Sequence, residues 1–268
     1  MKRIRQFALV VLAAVAVMSI GAELFAPASY STQFREAPNA APSRQHLLGT
    51  DDLGRDRFSR LLYGTRVSLM LAPAAALIST LLAGFIGGIA GYSGGWVQRV
   101  AMAGTDLFLS LPWLFLLILA RAMLPLNVSP LTSVVVTFVL LGLLGWAAAA
   151  RVVCAGVAGM RSSDFVLLAH ASGMSPTRTI LCHLLPNLRP VLYAQFWISV
   201  PVFILAEANL GILGLGVAEP LPSWGSLLRE LESLVSYNSE PWKIVPLVLL
   251  IVVVTCFQLL MPHEEVCA

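Results

Sequence analysis

Lysine is almost missing from this sequence of 268 residues, which holds only Lys2 and Lys243. A phosphate-binding loop of the form G-x-x-x-x-G-K-[ST] needs a lysine to reach the terminal phosphates. Neither lysine stands in that context, so self-contained ATP hydrolysis of this type is excluded. Charge of either sign is also scarce, at 12% of residues against roughly 25% in an ordinary soluble domain. The net charge of +3 supplies no polybasic surface for nucleic acid. Cys154, Cys182, Cys256 and Cys267 lack C-x-x-C spacing and read as small apolar fillers. His46, His170, His183 and His263 form no H-E-x-x-H and no cluster, so no metal site is expected.

What fills the chain instead is apolar. Hydrophobic residues make up 58% and mean hydropathy is +0.83. The apolar residues fall into runs at about 7 to 26, 67 to 90, 100 to 120, 131 to 150, 190 to 210 and 243 to 261. Each is long enough to cross roughly 30 Å of hydrocarbon as a helix. No strand-like alternation runs through them, and helices satisfy their own backbone, so an all-α, polytopic membrane bundle of about six spans is predicted. Lys2, Arg3 and Arg5 ahead of the first run also resemble a secretory signal, but that run exceeds the usual length of one and favours a retained span. The same basic tail favours a cytoplasmic N-terminus, and six spans then place both termini inside. Cationic residues divide almost evenly between the inner and outer segments, so charge counting leaves the orientation open.

Between the first two spans, Pro27, Pro38 and Pro42 mark an irregular stretch ending in a turn at Leu48 to Asp56. Asp51 or Asp52 is expected to cap a short helix. Phe58, Leu61 and Leu62 would form its apolar face, with Arg55, Arg57 and Arg60 polar, so that it lies on the bilayer surface. The segment from Arg151 to Pro190 reads as two short helices. Ser162 or Ser163 caps the first, Gly173 ends it, and Ser175 with Pro176 starts a second that runs to Pro186. Its apolar content predicts packing, either on another protein or on the ends of its own spans.

Charges inside spans are expensive. Glu23 and Arg121 sit at span ends, where snorkelling accounts for both. Asp106 and Glu207 lie deeper and are expected to face protein or a wet cavity, hydrogen-bonded structurally. Gly91-Tyr92-Ser93-Gly94-Gly95 satisfies the G-x-S-x-G pattern of serine hydrolases. No histidine lies in any candidate span to serve as its base, so the glycines read as a tight turn between spans two and three. An ion-coupled secondary transporter is the remaining alternative, but the inverted repeats expected of it are not visible.

Four blocks now carry a resemblance. They are Leu48-Gly49-Thr50-Asp51-Asp52-Leu53-Gly54-Arg55-Asp56 continuing through Arg60 to Gly64, and Ala90 to Gly95 with Asp106 following. The others are Asp164-Phe165-Val166, Gly173 and His183 to Asn187, and Ala206-Glu207-Ala208 with Leu213 to Gly216, Pro220 and Ser223-Trp224-Gly225. In order and spacing the chain resembles the C-type permease subunits of type I ATP-binding-cassette importers of the dipeptide, oligopeptide and nickel branch, which have the MetI-like fold.

The resemblance implies a permease half that needs companions. These are a homologous permease as heterodimer partner, two cytoplasmic subunits that bind ATP and Mg, and a periplasmic or lipid-anchored binding protein. It implies an ATPase-coupling loop, the EAA motif, carried here by Asp164, Phe165, Leu167, Leu168, Ala169, Gly173, Pro176, His183, Pro186 and Asn187. It further implies a periplasmic gate or binding-protein contact at Asp51, Asp52, Gly54, Arg55, Asp56, Arg60, Gly214, Gly216, Pro220, Trp224 and Gly225. The expected organisation is a tail and first span at 1–26, a periplasmic segment at 27–66, a five-helix core at 67–261 with its coupling loop at 151–190, and a tail at 262–268. Two departures stand out. Leu167, Leu168 and Ala169 occupy the Glu-Ala-Ala positions, so the acidic residue often found there is missing. The tail also lacks the Gly-Asp-containing continuation usual in the family. No catalytic residue is expected in the chain.

Overall fold

The computed structural model describes residues 2–123, 129–232 and 240–261. The expectations for Cys267, His263 and the 262–268 tail lie outside them. Helix α1 (Lys2–Ile20) and the single turn α2 (Ala22–Phe25) precede the irregular segment. Then come α3 (Arg57–Ser93), α4 (Gly95–Ser110), α5 (Trp113–Ala122), α6 (Pro130–Leu144) and α7 (Ala147–Arg161). The chain continues through α8 (Asp164–Ala171), α9 (Pro176–Thr179), a π-helical turn (Ile180–Leu184), α10 (Leu185–Ile212), α11 (Trp224–Arg229) and α12 (Val245–Leu260). Among the described residues only isolated bridges, Gln33 with Arg55 and Thr50 with Asp56, depart from helix and loop.

Five helical stretches are long and apolar enough to cross a membrane, or six if α4 and α5 form one span broken by a 74° bend. The all-α reading with about six spans therefore holds. The bend has a local cause. Pro112 disfavours the helical region for the residue before it, and Leu111 is extended at φ −88° and ψ 133°.

Three expected boundaries are corrected. No separate surface helix precedes the second span: α3 runs unbroken from Arg57 through Ser93. Its start is capped by Asp56 rather than by Asp51 or Asp52, since Asp56 Oδ1 accepts from the Ser59 N–H at 2.7 Å. The segment expected to leave the membrane at Arg151 remains helical to Arg161. The helix expected to stop at Pro186 continues to Ile212. Pro186 lies inside the continuous run Pro176–Ile212, directly after the π-helical turn Ile180–Leu184, whose wider spacing absorbs the change of register at the proline.

Contacts divide the chain into two compact units, the first being Met1–Pro73, Ala120–Phe138 and Val200–Ala268, the second Ala74–Leu119 and Val139–Ser199. In the first, α1 lies along α12, Ala8 and Val15 are buried, and Arg5 donates to the Leu260 carbonyl at 3.2 Å. In the second, α4 packs on α7, and Val153, Val157, Leu184 and Leu188 form a core with Tyr92 and Ile180 against it. Gly91 permits the close approach of α3 to α7, because a Cβ there would lie 2.6 Å from the Cys154 carbonyl oxygen. Gly94 and Gly95, at φ 63° and 54°, make the turn into α4.

Candidate functional site

The first unit carries a polar cap built on the start of α3. Asp51 folds the turn before it, accepting from the Leu53 and Arg55 N–H groups at 3.0 and 2.7 Å. Its other oxygen takes Arg55 Nε at 2.6 Å, with Arg60 Nε at 3.7 Å. Both guanidiniums then reach Glu219, Arg55 at 2.5 Å and Arg60 through Nη2 at 3.1 Å. Arg57 pairs with Glu230, and His46 Nδ1 stands 2.9 Å from Asp56 Oδ2. Arg55 and Arg60 were expected on a solvated face. They are buried instead, because two carboxylates and the turn's own backbone meet their charge.

Of the other residues expected here, Asp52 and Pro220 are exposed and Gly54 is buried at φ 74°. Gly214, at φ 75°, lies against the Arg229 guanidinium. Glu219 and Glu230 escaped the sequence reading, which gave Arg57 only as part of a polar helix face. The ion pairs that reveal Glu219 join residues 164 and 159 positions apart, and no local pattern encodes that.

Burial opposes ionisation of Glu219, but the charges and hydrogen bonds of Arg60 and Arg55 outweigh it and hold the carboxyl below the ordinary carboxylate range. Burial likewise opposes the charge of Arg55, yet Asp51 and Glu219 raise its affinity for the proton. Glu230 goes the other way, since burial pushes its carboxyl up despite Arg57 and Arg60. A depressed carboxyl stabilises the fold fully above its unfolded value, and that contribution is lost as pH falls through the folded one. Glu219→Gln is therefore expected to flatten the acid limb of stability, read as the thermal midpoint against pH. An acid limb as steep as in the unaltered protein would refute this role. Glu219 is half-exposed, so water screens the pair and the effect is small.

Beneath the cap, the end of α10 meets α11. Glu207 is fully buried, with Ser68 Oγ 3.4 Å from one oxygen and Ser223 and the Gly225 amide against the same carboxyl. It faces protein, as expected. Trp224 is fully buried and donates Nε1–H to Thr65 Oγ1 at 3.0 Å. Arg121 corrects the snorkelling expectation. Its guanidinium donates to the Leu215 and Gly216 carbonyls, each at 3.0 Å, and to Ser133 Oγ, so it clamps the loop after α10 to the start of α6.

The second unit carries the expected two-helix element. Val166 and Ala169 are buried and anchor α8, while Leu167 and Leu168 are 55% and 66% exposed. With Asp164 and Ala171 they line an open depression of about 400 Å³. Gly173, at φ 72°, reverses the chain in a conformation L-residues avoid, and Pro176 opens α9. The expected serine caps are not used: Ser163 Oγ donates to the Met160 carbonyl, and Ser175 makes no side-chain cap bond. The Phe165 and His183 rings lie 6.3 Å apart, and Asn187 Nδ2 donates to the His183 carbonyl at 2.8 Å. Asp106, expected to face protein or a wet cavity, is half-exposed on α4 and pairs with Arg151 of α7 at 3.2 Å.

The family model described as "Binding-protein-dependent transport system inner membrane component" matches residues 81–263. The oligopeptide transport system permease protein OppC of Bacillus subtilis is 31% identical over 88% of this chain and 75% of its own length. The dipeptide transport system permease protein DppC of the same organism is 34% identical over 80% of this chain and 65% of its own. The OppC protein of Haemophilus influenzae is 31% identical over 93% and 78%. The family match takes in the two-helix element, α10 with Glu207, and α11, and the relatives extend it over most of the chain. A chain with five or six helices long and apolar enough to cross a membrane and with this match is an integral membrane permease component, and it belongs to the family of inner-membrane components of binding-protein-dependent transport systems.

Proposed function

We propose that this chain is one of two permease halves of an ATP-driven importer, and that its cargo is peptide. The relatives, oligopeptide and dipeptide permease proteins, support the cargo. The observation that carries the coupling is the exposed apolar face of α8, Leu167 and Leu168, beside the left-handed Gly173. An uncovered leucine pair on a short helix marks a surface kept for a partner. In this reading a cytoplasmic subunit, which holds the ATP and Mg, takes α8 and α9 in a cleft and passes its closure to α10 as a rigid-body motion. A second ATPase serves the homologous permease that completes the pathway. A periplasmic or lipid-anchored binding protein delivers cargo at the polar cap, near Asp52 and Pro220. Both termini and α8 then lie on the cytoplasmic side of the inner membrane, and the chain performs no catalytic step itself.

The test is Leu168→Asp in the co-expressed assembly. It is expected to reduce both co-purifying ATPase and ATP-dependent uptake of trialanine by at least about tenfold, equivalent to about 1.4 kcal/mol. Unchanged co-purification would overturn the docking role. Gly173 refines the test, because a Cβ there meets nothing within 4 Å. Its cost is backbone strain alone, about 1–2 kcal/mol for most side chains. Gly173→Asn, which tolerates the left-handed region, is expected to retain uptake that Gly173→Val loses.

A further inference from the structure

The Asp106–Arg151 pair is not absorbed by the docking element or the polar cap. Asp106 lies about 16 Å along α4 from Gly95, and Arg151 about 15 Å along α7 from Arg161, at 1.5 Å per residue. Those two ends meet, since a Cβ on Gly94 would strike the Arg161 guanidinium. With that end, the turn between two spans, taken as the membrane boundary, the pair falls near half the roughly 30 Å thickness of a bilayer's hydrocarbon. Exposed Trp96, Val97, Val100 and Leu107 flank it along α4, so the surrounding surface is that of a membrane span.

An ion pair at this depth does not face lipid without severe cost. Its side chains are 57% and 54% exposed, and one 3.2 Å contact joins them. No other polar contact to either group occurs among the described residues. Four guanidinium N–H groups and one carboxylate oxygen are left to find partners, and each costs several kcal/mol if hydrocarbon meets it. An apolar helix from a companion subunit would not satisfy them. Water, or a solute with charges and amides, would. Two further observations point the same way. Arg151, Ala155 and Gly159 share a face at i, i+4 and i+8, and among the described residues a Cβ at Gly159 meets nothing within 4 Å. Glycine costs helix stability, and among the described residues nothing packs against Gly159 to require it.

We infer that Asp106 and Arg151 line the aqueous translocation pathway at mid-membrane and contact the passing solute, the carboxylate taking a peptide's ammonium group and the guanidinium its carboxylate or carbonyl groups. The inference rests on the importer reading and adds a solute-contacting site to it. Sequence reading missed half of this site because it placed Arg151 outside the span.

The test uses the complete transporter in lipid vesicles, with native cysteines replaced and one cysteine introduced at Ala155, one turn from Arg151, or at Val10 on α1. A thiol ionises and reacts only where water reaches it. Ala155→Cys is expected to react with a membrane-impermeant charged methanethiosulfonate at least about tenfold faster than Val10→Cys. Trialanine with ATP is expected to change that rate. Asp106→Asn and Arg151→Gln, with assembly verified by co-purification, are each expected to lower trialanine uptake by about tenfold. Labelling of Ala155→Cys no faster than of Val10→Cys, beside intact wild-type uptake, overturns the pathway placement. Fast labelling with no uptake by the wild-type assembly overturns the peptide reading instead.

Discussion

Asp51→Ala is expected to destabilise the first unit by about 3–5 kcal/mol, the range seen when one partner of a buried ion network is removed. Asp51 is 1% exposed and faces two guanidiniums that are themselves buried. Its loss leaves Arg55 and Arg60 with Glu219 alone, and frees the Leu53 and Arg55 N–H groups that it accepts. Asp51→Asn keeps the shape and the turn acceptor while losing the charge, so about 1–3 kcal/mol is expected. Removing the other carboxylate is different. Glu219 is 53% exposed, water replaces part of what it supplies, and Glu219→Gln costs no more than about 1 kcal/mol. The measurement is the temperature at which the detergent-solubilised assembly loses its monodisperse elution. Equal effects at the two positions would show that burial does not set the energetics of the cap.

Gly211→Val is expected to prevent accumulation of the folded chain. A Cβ at Gly211 would lie 2.2 Å from the Gly225 Cα, and a Cβ at Gly225 would lie 2.8 Å from the Glu207 carbonyl oxygen. The obstacle is backbone on both sides, so no rotamer change relieves it, and overpacking of this kind costs about 1–3 kcal/mol or more. Separating α10 from α11 would also unseat Trp224, whose full burial and bond to Thr65 hold α11 to the start of α3. Trp224→Ala is expected to cost about 3–5 kcal/mol by itself. Trp224→Phe, which loses chiefly the Nε1–H bond, should cost about 0.5–1.5 kcal/mol. Membrane yield and resistance to proteolysis read the series. A Gly211→Val protein as protease-resistant as wild type would contradict the close approach.

Much of this was legible without coordinates where the cause is local. Runs of apolar residues near 20 long allow few structures in a bilayer other than helices, so the number of spans followed from composition and length. Gly173 as a chain reversal and Pro176 as a helix start follow from single-residue backbone preferences, and the structure places both accordingly. Boundaries were harder. Pro186 looked like a stop and Arg151 like an exit from the membrane, yet both lie within helical runs. A π-helical turn accommodates Pro186, and Asp106 meets part of the Arg151 charge, and neither is encoded within a few residues.

The absence of a phosphate-reaching lysine and the length of the apolar runs were decided by the sequence alone, because they depend on what the chain contains. Which charges meet was decided only by the tertiary fold. Arg55, Arg57 and Arg60 looked like the solvated face of a surface helix until Glu219 and Glu230 arrived from the far end of the chain to pair with them. Arg121 looked like a snorkelling cation until the loop at Leu215 and Gly216 offered its carbonyls. A charge's solvation is a property of its surroundings in space, and for these residues the surroundings are set by segments that meet across more than 90 positions of sequence.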